Sequence, residues 1–460
     1  MQISALFRSL LWSLRRLSPE MLFLISYLGF GALGTVLLMM PWATAQGTMA
    51  WEDALFTATS ALCVTGLTVA DTGSFFSFAG QTIILALIEI GGIGIMTFAV
   101  FIFLSSGWRI SARQQTFIQE TYTSDLRQDI KKLVFFIFAF TTLCEAIGTL
   151  LLMVSWNEDL TFFQRLYCSL FHSVSAFCNA GFSLYPDSFV GYSGDVLVNM
   201  TITGLILLGG LGFPVVYELW YWWKTPRRYN LSLHSKLVLL FSVILTLAGM
   251  AAFWAVERDN VLATMSFPHQ LLVSYFQSVT PRTAGFNTVD FSILHSATLM
   301  IVIVLMFIGA SPGSTGGGIK TTSMAVFFIV LWNRFRGSDH NNVFYRTIPD
   351  AAVSRVISIF IISVLYVSIT WGLMLVSQTD NLASGSSRAD FIECLFETVS
   401  AFGTVGLSMG TTPKLDVIGK LLLTATMFVG RVGILTLTYL LISRKQAGAF
   451  QYAEENVMTG

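Results

Sequence analysis

Ser400-Ala401-Phe402-Gly403-Thr404-Val405-Gly406-Leu407-Ser408 decides how this chain is read, because the chain writes it four times. Aligned on its last glycine, the stretch recurs as Ser60-Ala61-Leu62-Cys63-Val64-Thr65-Gly66-Leu67-Thr68 and as Ser175-Ala176-Phe177-Cys178-Asn179-Ala180-Gly181-Phe182-Ser183. A fourth copy, Val279-Thr280-Pro281-Arg282-Thr283-Ala284-Gly285-Phe286-Asn287, keeps only the end of the pattern. In every copy the aligned glycine is followed by Leu or Phe, then by Thr, Ser or Asn. The glycines lie 115, 104 and 121 residues apart. Such spacing marks an internal repeat, which has to be recognised before a fold can be argued.

The blocks between these copies are built for lipid. Of 460 residues 54% are hydrophobic and only 11% charged, with mean hydropathy +0.70, against about 25% charge in soluble domains. The chain is therefore read as an integral membrane protein. Its net charge is zero, so no bulk field argues for nucleic acid as a partner. Five cysteines lie in apolar stretches without a C-x-x-C pair, which argues against a disulfide or metal framework. Arg8, Arg15 and Arg16 precede the first long apolar run, and no small-residue cleavage site follows promptly. That run reads as a retained first span.

A membrane-spanning helix needs about 20 apolar residues. Eight segments qualify: 21–40, 82–104, 133–156, 197–223, 237–256, 297–319, 356–376 and 421–443. Between paired spans lie segments about half that length, at 53–63, 163–178, 270–280 and 390–402, each running into a copy of the repeated stretch. The expected fold is all-α, eight spans arranged as four fused span–pore-loop–span repeats around a central pore. Repeat one covers 21–104, repeat two 133–223, repeat three 234–332 and repeat four 353–443; residues 1–20 and 444–460 flank them. Of the 26 basic residues, 18 fall in the amino end, the inter-repeat loops and the tail. The positive-inside rule then puts both termini in the cytoplasm and the half-helix loops outside.

Irregular backbone at membrane depth survives only where it lines a water-filled cavity or is buried in protein. Four glycine-bearing strands, each after a half-helix whose C-terminal end carries partial negative charge, can surround one axis. Their carbonyl oxygens would replace the water shell of a dehydrated cation. The same glycines could simply end half-helices in a packed bundle, but four in register argue for the pore. Asp71, Asp187 and Asp290 follow the aligned glycines by five or six residues. Either they raise the cation concentration at an outer mouth, or they cap the next span.

Four such units, with one glycine per filter strand and cytoplasmic termini, resemble the Trk/Ktr/HKT superfamily of potassium transporters along nearly the whole chain. Eight spans without an added amino-terminal pair look like the Ktr-type pore subunit. The resemblance implies a potassium filter at Val64, Thr65, Gly66 and Leu67; Asn179, Ala180, Gly181 and Phe182; Thr283, Ala284, Gly285 and Phe286; and Thr404, Val405, Gly406 and Leu407. In plant relatives a serine at the first filter glycine goes with sodium preference, so glycine at all four positions favours potassium, with sodium or another monovalent cation as the alternative cargo. The resemblance further implies a homodimer in the inner (plasma) membrane, in contact with lipid, controlled by a cytosolic nucleotide-binding ring. The basic loops are candidate docking surfaces for that ring. No organic cofactor is expected.

Second spans carry the next signal. Glu89-Ile90-Gly91-Gly92, Leu208-Gly209-Gly210 and Val429-Gly430-Arg431 fall at similar distances after their filter glycines. The third repeat reads Gly309-Ala310-Ser311-Pro312-Gly313-Ser314-Thr315-Gly316-Gly317-Gly318-Ile319-Lys320 instead. Each glycine costs a helix about 1 kcal/mol and a proline about 3, so the third second span is expected to break below the filter, at 309–322. The resemblance makes this break a mobile loop that gates the pore. Near-identity to a phosphate-binding loop fails, because Ile319 stands between glycine and lysine and an apolar span precedes it where that motif needs a strand.

Arg431 lies in the middle of the last span, where an ionisable residue is a functional candidate by default. The resemblance places it in the pore near the gating loop, as an electrostatic barrier. Glu89, on an equivalent turn of repeat one, is a candidate partner; Glu145 and Glu397 need partners that the sequence does not name. The five histidines show no metal spacing. A polytopic enzyme would need clustered catalytic groups at one depth, and none are evident. A mere membrane anchor would leave the registered glycines unexplained.

Overall fold

The computed structural model describes residues 19–45, 47–94, 97, 130–156, 161–225, 230–338, 340–378 and 387–433. Most of the basic residues that set the expected orientation, at 1–18, 98–129, 226–229 and 434–460, lie outside these. Each repeat opens with a long apolar helix: α1 (Pro19–Leu38), α4 (Ile130–Ser155), α8 (Leu233–Glu257) and α12 (Asp350–Ser377). Each continues with a shorter one that ends at the repeated stretch: α2 (Trp51–Leu62), α5 (Phe162–Phe177), α9 (Phe267–Val279) and α13 (Ser387–Gly403). The returning helices are α3 (Phe78–Ile93), α6 (Val196–Gly210), α10 (Ser296–Phe307) and α14 (Val417–Val432).

Local chemistry starts these helices where they start. Ser77, Asp195 and Asp416 accept from the backbone N–H of Gly80, Val198 and Gly419, satisfying donors that have no partner inside a helix. Thr161 and Gln164 form a reciprocal capping box at the head of α5. Glu218 accepts from Ser232 and Ser235 and so holds the start of α8.

The returning helices end in a way the sequence reading did not expect. Within the predicted spans at 82–104, 197–223 and 421–443 the helices end at Ile93, Gly210 and Val432, and 95–96, 98–104 and 434–443 lie outside the described residues. Gly94 and Gly433 follow at once and Gly212 follows after Leu211; Gly94, Gly212 and Gly433 share φ near +90° (89°, 92° and 88°). Only glycine reaches such φ cheaply. In repeat two α7 (Phe213–Lys224) resumes at 98° to α6. Repeat three does break, over 308–320, before α11 (Thr321–Phe335). In repeats two and three the second span is thus broken, and the third repeat inserts more chain at its break.

Packing closes the four repeats into a ring. Each returning helix lies against the half-helix of the next repeat: α3 on α5, α6 on α9, α10 on α13, and α14 back on α2. Lys420 of α14 and Asp53 of α2 form an ion pair of 2.6 Å at that last junction. Small residues set the helix spacing. A Cβ on Gly91, Gly209 or Gly430 would collide with a carbonyl at the end of its own half-helix, at Leu62, Phe177 and Phe402. This accounts for the glycines recurring at similar distances after the aligned glycines of the repeated stretch. A two-stranded hairpin, β1 (Asn342–Val343) with β2 (Arg346–Thr347), lies between repeats three and four.

Candidate functional site

The repeated stretches meet at the centre of the ring in one shared backbone conformation. Val64, Asn179, Thr283 and Thr404, each two residues before the aligned glycine, have φ of 57°, 59°, 69° and 49°. Gly66, Gly181, Gly285 and Gly406 follow at 93°, 70°, 79° and 90°. Left-handed backbone costs an L-residue roughly 1–2 kcal/mol, and more weighs against the β-branched Val and Thr. Four such residues persist only because the surroundings over-determine them.

Hydroxyls at the half-helix ends supply much of that constraint. Ser60 and Ser400 accept from the N–H of Gly66 and Gly406, both at 3.1 Å. Ser175 and Thr280 donate to the carbonyls of Phe182 and Phe286, at 2.8 and 2.5 Å. The backbone adds Thr65, Ala180 and Val405 N–H to the carbonyls of Ser60, Ser175 and Ser400, and Ala284 N–H to Thr280. Thr280, one place later than the serines when aligned on glycine, does their work; the third copy is one residue shorter.

The four glycines touch in sequence. A Cβ on Gly66 would strike the carbonyl oxygen of Ala180; on Gly181, that of Ala284; on Gly285, that of Val405; and on Gly406, that of Thr65. The ring is closed, each glycine lying against the carbonyl that precedes the next. Side chains of Val64, Thr65, Leu67, Ala180, Phe182, Ala284, Phe286, Val405 and Leu407 are all buried in protein. Where the four strands meet at these glycines, the contacts are backbone to backbone.

Polar side chains further back on the half-helices hold the outgoing ends. His172 bonds Ser183 Oγ at 3.0 Å and accepts from Leu184 N–H. Gln277 donates to Thr288 at 3.1 Å. Glu397 accepts from Ser408, Met409 N–H and Thr412, at 2.5, 3.2 and 2.7 Å. These are the missing partners of Glu397, and His172 is a structural tether. Repeat one has Thr57 at the position of His172 and Glu397, nine residues before the glycine.

Asp71 and Asp290 cap short turns: their side chains accept from Ser74 and Ser292 N–H. Ser77 and Asp195 cap α3 and α6, and α10 starts after His295 without a side-chain cap, so the expectation that these aspartates cap the spans is corrected. Asp187 and Asp290 are exposed, and Asp71 is half-buried.

Below the glycine ring the 308–320 segment forms a lasso. Its neck is closed by Gly309 N–H to Ile319 carbonyl at 2.8 Å, by Ala310 N–H to Gly317 carbonyl, and by Ser311 with Thr321. Its flanks dock on the two adjacent repeats. Ser311 and Thr315 N–H donate to Gly210 and Gly209 carbonyls of repeat two, and Phe213 N–H donates to the Gly313 carbonyl. Gly318 N–H donates to the Gly430 carbonyl, and Gly317 N–H to Thr404 Oγ1 at 3.1 Å. Cβ atoms on Gly316 and Gly317 would run into Thr283 and Thr404, the left-handed residues above. The glycines let the loop press against the underside of the ring. Lys320 turns back to the Gly316 carbonyl at 2.8 Å.

Arg431 fastens the other side of this loop. Its guanidinium donates to the carbonyls of Thr315 and Gly91 and to Tyr27 Oη. It therefore links repeats one, three and four. The candidate pairing with Glu89 is not what the structure holds: Glu89 faces Cys178 and Glu145.

Comparison with known proteins agrees with this architecture. The family profile described as cation transport protein, TrkH, matches residues 23–452. The chain is 38% identical to Ktr system potassium uptake protein B of Vibrio alginolyticus, over 95% of this chain and 94% of that one. It is 38% identical to the protein of the same name from Bacillus subtilis, over 97% of both. It is 36% identical to the potassium/sodium uptake protein NtpJ of Enterococcus hirae, over 97% of this chain and 98% of that one. Among solved structures, the potassium transporter TrkH from Vibrio parahaemolyticus superposes with a TM-score of 0.69, covering 93% of this chain and 86% of that one at 21% identity. With four repeats closed around a ring of backbone, and a family match that runs nearly end to end, the chain belongs to the TrkH family of cation transport proteins.

Proposed function

We propose that this chain carries potassium across the cell membrane through the glycine ring, and that the 308–320 lasso is its gate. The observation that carries the reading is the ring itself: four strands in one strained conformation, each glycine lying against the backbone carbonyl of the next strand. Such an array replaces the hydration shell of a cation at little reorganisation cost. The residues 64–67, 179–182, 283–286 and 404–407 are the filter in this reading. Asp71, Asp187 and Asp290 enrich cations at the outer mouth.

The lasso lies across the path beneath the filter, with Lys320 and Arg431 adding positive charge there. Opening requires its docking bonds to repeats two and four to break. Both termini are cytoplasmic in this reading, the membrane is the inner (plasma) membrane, and a homodimer works with a cytosolic nucleotide-binding ring; the likeness to Ktr proteins supports these last points. The deciding measurement is potassium entry into potassium-free vesicles containing this chain alone. Uptake faster than in protein-free vesicles is expected, and its absence in a well-folded preparation would overturn the reading. The name of the Enterococcus relative favours one second reading, sodium as a competing or accompanying cargo. Uptake repeated under a sodium gradient separates the two.

A further inference from the structure

Three side chains distant in sequence converge beside the candidate filter strand of repeat two. Glu89 comes from α3, Glu145 from α4, and Cys178 immediately precedes filter residue Asn179. One ligand atom from each lies within 4.8 Å of the other two. Cys178 Sγ and Glu89 Oε2 are 3.5 Å apart. A tetrahedral ion with metal–sulfur and metal–oxygen bonds of about 2.3 and 2.1 Å would separate those atoms by about 3.6 Å.

Two further facts point to an occupant. Glu145 is only 8% exposed; its carboxyl lies within hydrogen-bond reach of Glu89, yet its Oε1 has no hydrogen-bond partner. Buried carboxylates are normally paired or bound to a metal. Among the described residues neither carboxylate forms an ion pair, and the neighbouring cation, Arg431, spends its donors on carbonyls and Tyr27. Glu89 is half-buried and gives the cluster an approach, while Cys178 is fully enclosed. A Cβ on Gly92 would collide with Cys178 Sγ, so that glycine keeps room for the thiol.

We infer that Glu89, Glu145 and Cys178 form a binding site for a thiophilic divalent cation of the zinc or cadmium kind. Two carboxylates and one thiolate suit such an ion, which prefers sulfur and tolerates oxygen; magnesium and calcium would not seek the sulfur. Binding releases the thiol proton to solvent and leaves the ion with three protein ligands and an open fourth position. The ion would clamp the second span of repeat one and the first span of repeat two to the base of the repeat-two filter strand. The inference does not depend on what the pore conducts.

The test is a titration of the purified full-length chain with cadmium chloride alone, following the thiolate-to-cadmium absorption band in the ultraviolet. One cadmium per chain is expected. The band should disappear in Cys178→Ser and survive in Cys394→Ser, and cadmium affinity should fall about tenfold or more in Glu145→Gln and in Glu89→Gln. Gel filtration and a melting curve without metal check that each variant is folded. If Cys178→Ser does not fold, the two glutamine variants decide the matter by affinity alone. No band in the parent, or unchanged affinity in both glutamine variants, overturns the site. So does a parent that binds no cadmium while Glu145→Gln melts higher, because the carboxylates would then be sharing a proton.

Discussion

At the glycine ring the four repeats are treated alike; directly below it they are not. Each repeat contributes a left-handed residue, a glycine and a hydroxyl tether to the ring. The lasso comes from repeat three alone and docks unequally, on Gly209 and Gly210 of repeat two and on Gly430, Thr404 and Arg431 of repeat four. The difference separates two demands. Ion recognition needs equivalent oxygens around an axis, so its geometry is repeated and heavily constrained. On the proposed reading obstruction needs one movable element, and the lasso's docking bonds come from one repeat and are not duplicated around the ring.

Breaking the symmetry of the ring should have the largest effect. Gly66→Ser puts a side chain on backbone at φ 93° and drives a Cβ into the Ala180 carbonyl. Strain of about 1–2 kcal/mol, with the collision added, should cut potassium preference over sodium by about tenfold. Competition uptake with both ions measures it, and an unchanged ratio in a folded variant would remove the ring from selectivity. Next comes deletion of residues 311–318, which takes away the lasso and leaves the ring tethers intact. Flux should rise several-fold with selectivity nearly preserved. A stable deletion variant no faster than the parent would show that the lasso does not gate.

Arg431→Gln sharpens the comparison from one side of the lasso. Each bond from its guanidinium is worth about 1.5–3 kcal/mol, so the loop should loosen, flux should rise a few-fold and the melting temperature should drop modestly. Because Glu89 is not its partner, the 3–5 kcal/mol loss that follows breaking a buried ion pair is not expected. Uptake and melting measured on the same sample decide this, and a collapsed protein without faster flux would make Arg431 a scaffold residue. The smallest effect belongs to Thr404→Val. Val64 already holds the equivalent left-handed position, so the backbone tolerates valine there. The change removes only the bond to Gly317 N–H, about 1 kcal/mol. Flux should rise by less than tenfold with the potassium-to-sodium ratio unchanged; a shifted ratio would mean that ring and lasso are not separable.

Glu397 shows where legibility in the sequence stopped. Its place in an apolar half-helix made plain that it needed partners, but Ser408, Met409 and Thr412 come within reach only after the strand folds back along α13. The second spans show the same limit from the other direction. The apolar run at 197–223 reads as continuous, because hydropathy is blind to a single glycine at φ near +90°. The third repeat was legible as a break only because five glycines and Pro312 accumulate there. Thr280 was misaligned by one place, since the glycine was the anchor of the alignment and the hydroxyl is the anchor of the structure.

By itself the sequence determined what depends on neighbours along the chain. Apolar length set the membrane helices, the fourfold recurrence of a glycine stretch set the repeat, and glycine density set the lasso; each acts within a few residues, so it is written locally. Tertiary structure alone decided what depends on approach in space. Arg431 reaches Gly91 across 340 positions and Thr315 across 116, and Cys178 meets Glu89 across 89. In a lipid environment a buried charge must find its partner wherever the fold brings one. Which carbonyl, hydroxyl or carboxylate that is follows from how four helical units close into a ring.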